Sequence, residues 1–471
     1  MKTYKRRSHP RVVPLCLIGL LAFMIILPAF AQEKMAHETQ RSQRVVLDWD
    51  EAWEMAVANN ESHQMALHEQ EKARLQVLEA WSNAMPTLDV NGTFNHYFMI
   101  PSNPVTMPGE LNALNPGQPF VAEFKFGQEN NISANAQLTQ PLWLAGKIGL
   151  GLRIAKNYKQ IAEMGVEVSE QDLRVQLVQA FYGALVADEY VAVTRDALDQ
   201  ARRHLDQVEA MLGEGVVSEY DRIRASVAVS NLKPDVIEAE TARDLAYKGL
   251  KNLLGMDLDT PITIDGSITD VVLAPELDYT TASDYALERR VEVQQLDLQR
   301  MLYADQKKAE QRSWLWPNFM AGLRWETQAQ SDKFDFQEKQ FFNGTSALLI
   351  VNIPLFDGLA AHRRSQIAEV NIRNVDLQQN MLRRGIQMEV FQATRQFEKA
   401  SEQLQAALEN SREAEKGQSI AMARYDSGVG TQLEVLDAQL QYKSARVNVL
   451  QAEYDQLVAR AQYDRALGQA R

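Results

Sequence analysis

The stretch that decides the fold is "GVGTQLEVLDAQLQY", residues 428–442, because a related line, "GVVSEYDRIRASVAV", stands at residues 215–229, 213 positions earlier. The same offset carries Leu254-Gly255 onto Leu467-Gly468 and Pro141-Leu142 onto Pro354-Leu355, with no gap between the turn and the Leu-Gly end. "EAWEMAVANN" from Glu51, with Pro86 downstream, also resembles "SDYALERR" from Ser283, with Pro317 downstream, at an offset near 230. One such pairing between helices means little. Four in order, three of them sharing one offset, indicate a chain written twice, with copies at 32–265 and 266–471.

Each copy reads as helix, strand, strand, long helix, turn and helix. The opening helices run from about Trp49 to Ala84 and from Ala282 to Arg312, each stopped by a proline. In "TLDVNGTFNHYF", Leu88, Val90 and Phe94 share one parity while Asp89, Asn91, Thr93 and Asn95 share the other. "NISANAQLTQ" repeats the pattern, and Phe319, Ala321, Leu323 and Trp325 alternate with Asn318, Gly322, Arg324 and Glu326. Period two predicts strands with one apolar and one polar face, at about 87–98, 131–141, 318–326 and 344–354.

The polar parity is rich in Asn, Thr, Ser and Gln, which suits a wet lumen, and strands of roughly ten residues fit an outer-membrane barrel. Aromatics gather at both strand ends: Trp143, Trp314, Trp316 and Phe356 at one, Tyr97, Phe98, Phe341 and Phe342 at the other. Two aromatic girdles are expected where a barrel meets two interfaces. Residues 99–130 and 327–342 read as long external loops, and 256–281 as a linker with a short strand or two.

Long helices are predicted at 146–212 and 358–425, followed by helices at 218–254 and 431–467. Ile154, Ile161, Met164, Val168, Val175, Val178, Tyr182 and Leu185 follow heptad spacing, as do Leu433, Leu436, Leu440, Val447, Leu450, Tyr454, Leu457 and Ala461. Such seams build coiled coils. Pro234 predicts a kink in the first copy's second helix.

Residues 1–31 read as a signal peptide: five Lys or Arg, an apolar stretch from Val12 to Leu27, and Ala29-Phe30-Ala31 for cleavage. Its removal takes the formal charge from -13 to -18 and discards Cys16, the single cysteine. An acidic chain of this kind is a poor partner for nucleic acid, and a cysteine-free one holds neither disulfides nor thiolate metal sites.

The repeated order, "PLFDG" at 354–358 and "YDSGVGTQLEVLDAQL" followed by "LG" resemble the TolC family of outer-membrane efflux and export proteins, over about Leu47 to Gly468. The resemblance implies an α+β membrane protein: a trimeric, 12-stranded outer-membrane β-barrel continuous with a periplasmic α-helical coiled-coil barrel. It implies a passive duct in a tripartite efflux pump or a type I secretion system of a Gram-negative cell. The implied partners are two further copies of the chain, a periplasmic adaptor (membrane fusion) protein, outer-membrane lipid and, indirectly, an inner-membrane pump of RND, ABC or MFS type.

It also places the two turns, 212–218 and 427–431, at the periplasmic tips. Gly215, Val216, Ser218, Gly428, Val429 and Thr431 then form the adaptor-docking tips. Glu434 and Asp437 line the aperture, with Asp221 and Tyr425 holding the closed gate. Gly430 departs from the family, standing where a member carries a latching arginine.

No GxSxG, P-loop or HExxH is present, and His63 and His68 are badly spaced for a shared metal, so no catalytic, metal or cofactor site is expected. The competing reading is a periplasmic coiled-coil adaptor or scaffold protein. Adaptors carry one helical hairpin where this chain has two.

Overall fold

The structure, a computed structural model, describes residues 45–112, 116–125, 127–268, 278–334, 336 and 340–469. The expected signal segment and part of the linker lie outside these residues. In chain order the elements are β1 (Val45–Leu47), α1 (Trp49–Asn59), α2 (Glu61–Ser82), β2 (Thr87–His96), β3 (Ser102–Met107), β4 (Phe120–Lys125) and β5 (Asn130–Leu144). Then come α3 (Lys147–Gly213), α4 (Glu219–Leu253), β6 (Ile262–Ile264), α5 (Tyr279–Arg289), α6 (Val291–Leu315), β7 (Asn318–Ser331), β8 (Phe342–Asn352), α7 (Ala360–Asp426) and α8 (Gln432–Leu467).

The chain divides into two compact units. The first comprises the described residues of Met1–Asn59, Gln179–Asp270 and Ser411–Tyr454, and the second those of Asn60–Val178, Val271–Asn410 and Asp455–Arg471.

The second unit holds a four-stranded antiparallel sheet in the order β2-β5-β7-β8. Its register sorts the alternation into rows, because directly paired residues point to the same face. Leu88, Leu138, Leu323 and Ala347 form one row, and Val90, Ala136, Trp325 and Thr345 a second beside it. The opposite face carries Asp89, Gln137, Arg324 and Ser346, then Asn91, Asn135, Glu326 and Gly344. There the Asn91 Nδ2 donates across the strands to Asn135 Oδ1 at 3.4 Å, and Arg324 pairs with Glu326 at 3.4 Å. Leu88, Val90, Leu323 and Trp325 are all exposed in the single chain, so no described residue covers these four side chains. Both outer strands, β2 and β8, leave one edge unpaired within the sheet. Trp143, Trp316 and Phe356 stand exposed at one end of the sheet, Tyr97, Phe98, Phe341 and Phe342 at the other.

The same unit buries Ala282 and Ala286 of α5 against Ile386, Val390 and Ala393 of α7 and Tyr463, Ala466 and Leu467 of α8. The first unit pairs β1 with β6 in parallel and packs α3 against α4 through Leu198, Ala201 and Val229. Along α8, Ala445, Ala452, Ala459 and Ala466 recur every seventh residue and are all buried. Small side chains at that repeat let neighbouring helices approach closely.

Three sequence expectations need correction. The opening helices are each two: α1 gives way to α2 at Asn60, in extended backbone, whose Oδ1 accepts the His63 N–H at 3.0 Å and caps the next helix. The counterpart breaks at Arg290, also extended, whose guanidinium donates to Glu292 at 2.7 Å. The expected external loop at 99–130 contains the β3–β4 hairpin. Helix α4 stays helical through Pro234, where a kink is expected. The leucine stripe of α8 is not its buried stripe: Leu433 and Leu440 are 55% and 56% exposed, while the alanine face is inside.

Candidate functional site

Two chain reversals in the first unit bring together the residues singled out by sequence. Both are built the same way. Gly215 has φ +77°, with its N–H donating to Leu212 O at 3.0 Å and Val216 N–H to Met211 O at 2.9 Å. Gly428 has φ +74°, with its N–H donating to Tyr425 O at 2.9 Å and Val429 N–H to Arg424 O at 3.0 Å. This paired pattern is the Schellman ending, in which a left-handed residue lets the last helical carbonyls be satisfied. A Cβ at either glycine would meet open space, so glycine is required here by the backbone angle alone.

The helices that leave the turns are capped by side chains. Asp221 Oδ2 accepts from Ser218 N at 3.1 Å and Ser218 Oγ at 2.7 Å, while the Asp221 N–H donates to Ser218 Oγ at 3.3 Å. That closed box starts α4, and the Ser218 hydroxyl and amide hold the Asp221 carboxyl below its ordinary pKa. At the second turn, Thr431 Oγ1 accepts the Glu434 N–H at 3.3 Å.

Val216, Val429, Glu434 and Asp437 are exposed. Glu434 lies 3.7 Å from Arg424 of its own chain, a neighbour that sequence spacing did not single out. Asp221 is half-buried, and its backbone carbonyl accepts from Gln432 Nε2 at 2.8 Å, which ties the two turns together. Tyr425 points inward: it is 9% exposed and packs with Val208, Ala225 and Val435. Burial, then Asp221 and Asp426, raises its pKa. The sequence missed His204 and Gln432, both buried beside this cluster, because each meets its neighbours across more than 200 residues of chain. Above the turns, a cavity of about 250 Å³ lies among α3, α4 and α8, lined by Val193, Ala197, Leu232, Leu436, Leu440 and Arg446.

The model of the outer membrane efflux protein family matches residues 52–256 and 282–469, one segment in each half of the chain. The chain belongs to the outer membrane efflux protein family.

It is accordingly a channel of the outer membrane and not an enzyme. This efflux protein is 22% identical over 349 residues to the cobalt-zinc-cadmium resistance protein CzcC of Cupriavidus metallidurans, spanning 72% of this chain and 77% of that one. Its structure is similar to that of CusC (TM-score 0.70, 17% identity, 88% and 91% of the two chains). It is also similar to the CmeC outer membrane channel of Campylobacter jejuni (TM-score 0.67, 18% identity, 89% and 85%). At these identities the structural likeness establishes the fold: a helix-rich chain carrying a β-sheet in the TolC-like manner. The adaptor reading is set aside by the family match across both halves.

Proposed function

We propose that this efflux protein works as a trimer, its four-stranded sheets joining edge to edge into one 12-stranded barrel above a periplasmic helical tunnel. One observation carries the reading. The register gathers polar side chains on one face and apolar ones on the other, in a sheet with two open edges. Such a sheet cannot sit in lipid alone, since its edge amides and carbonyls would have no partners. Closing with two further copies satisfies the edges, turns the apolar rows to lipid and gives the lumen its Asn, Gln and Thr.

A duplicated chain supplies the four strands. Backbone angles support it: left-handed residues recur at the 213 offset as Ala145 and Gly358, Gly146 and Leu359, Gly215 and Gly428, Gly255 and Gly468. The helix breaks at Asn60 and Arg290 recur at the other offset, 230.

The two turns form the periplasmic tips, and Gly215, Val216, Ser218, Gly428, Val429 and Thr431 dock a periplasmic adaptor. The exposed carboxylates of Glu434 and Asp437 ring the aperture and favour cations, with Arg424 tempering each Glu434. Asp221 holds the tips in register through the Gln432 bond, and Tyr425 acts from within its own chain. An inner-membrane pump supplies the cargo and the energy.

The test is the detergent-extracted full chain in planar bilayers. A conducting, heat-dissociable trimer is expected, and Glu434→Gln with Asp437→Asn lowers its cation preference. A monomer without conductance overturns the duct, and unchanged selectivity removes the two acids from the aperture.

A further inference from the structure

Beside Tyr425, three polar atoms are sealed inside one chain with no hydrogen-bond partner among the described residues: His204 Nε2, the Tyr425 hydroxyl and Gln432 Oε1. His204 is 5% exposed, and its ring meets the Tyr425 ring edge-on, with centroids 5.3 Å apart. Around the pair, α3 contributes Val208 and Leu205, α4 contributes Ala225, and α8 contributes Val435. These atoms are out of reach within the protomer itself, so assembly with other copies cannot supply their partners. Buried polar groups are nearly always paired, and exceptions ask for an explanation.

The charged group that acts on His204 is Asp426 of α7, whose Oδ1 accepts from Gln207 Nε2 of α3 at 2.7 Å. Asp221 of α4 acts on Tyr425 and not on the imidazole. From α4 the cluster presents Ala225, and from α8 it presents Val435 and the neutral amide of Gln432. This seat accommodates a neutral imidazole: its unpaired oxygens, the Tyr425 hydroxyl and Gln432 Oε1, are neutral and offer no countercharge to an imidazolium.

We propose that His204 is a proton-operated release for the tip: when it takes up a proton, the ring leaves the cluster for water and Asp426, Tyr425 loses its neighbour, and the helix ends carrying the second turn loosen. The inference deepens the gate reading and rests on it. Burial pushes the His204 pKa down, opposed by Asp426. The packed tip therefore binds fewer protons than the open one. Its closure is fully present above the pKa of a hydrated imidazole, about 6.5, and is lost as pH falls below it. The opening equilibrium then rises by up to about tenfold per pH unit within that window.

The experiment measures amide hydrogen exchange across 423–432 in the detergent-solubilised full chain at pH 7.5 and 5.5, corrected for the chemical rate. Opening is expected to rise about three- to tenfold at pH 5.5. His204→Phe, which fills the seat without titrating, should abolish the rise, as should His204→Gln. Asp426→Asn, which removes the charge that raises the packed ring's pKa, should leave the onset in place and extend the rise to lower pH. If the Phe variant fails to fold, the Gln variant decides. No acid-dependent change in the wild type, or a rise that persists in a folded variant, overturns the proposal. Channel recordings run in parallel: absence of conductance at every pH sinks the duct reading, while the exchange data still judge His204.

Discussion

Gly428 and Gly430 stand two residues apart and are glycine for different reasons. The first has φ +74° and open space around it; the second has an ordinary φ, but an added Cβ would lie 2.9 Å from Tyr425 N and 3.0 Å from Arg424 C. Its N–H donates to Arg424 O at 2.9 Å, pulling the chain against the helix end. The turn as built therefore excludes any side chain at 430. Gly430→Arg is expected to spread the turn and not to latch it, at a cost of roughly 1–3 kcal/mol. Exchange at 424–430 should speed up to match. Gly428→Ala should cost about 1 kcal/mol, from the left-handed angle alone. From sequence, Gly430 was visible only as a missing arginine, because the atoms that crowd it belong to backbone five and six residues earlier. Tyr425 was not legible as an inward-facing residue, since its neighbours Val208 and Ala225 come from another hairpin.

Helices and strands were legible where the pattern was long and had a reason to be periodic. The strand pairs, the 67-residue helices and both turns follow directly from alternation, heptads and glycine. The β3–β4 hairpin was not legible, because Pro104 and the surrounding Gly and Asn mimic loop composition, and a two-stranded ribbon tolerates a proline that a central strand would not. The breaks at Asn60 and Arg290 were hidden inside apolar periodicity. At this scale the Ser218–Asp221 box gives a clear expectation. Ser218→Ala should destabilise the start of α4 by about 1 kcal/mol. Because the Asp221 pKa is lowered in the folded tip, its contribution is present above the normal carboxylate range and lost as pH falls through it. Chemical denaturation followed by circular dichroism at pH 7 and pH 3 checks both, and the wild-type and Ser218→Ala curves should converge in acid.

For the whole protein, the sheet's two faces make opposite demands on substitution. Val90 lies in an exposed apolar row, and Val90→Arg should cost about 2–4 kcal/mol if that row meets the bilayer midplane. Heat-resistant trimers on gels should then be lost. Asn91→Arg, one residue along on the polar face, should leave assembly intact and change conductance instead. Equal effects of the two would reject the assignment of faces. Four strands and a polar parity were readable residue by residue. Their number per pore was not, since nothing within one chain records how many copies close the ring.

The unpaired margins of β2 and β8 also bear on inheritance. The proposed ring, closed by three identical copies, would have no spare strand, so a single faulty subunit would open it. Mixing normal and defective chains in equal amounts leaves only about one pore in eight wholly normal. A chain carrying proline in β8 should thus poison export when co-expressed with the intact gene, and export that falls only by half would show that subunits close their strands without one another.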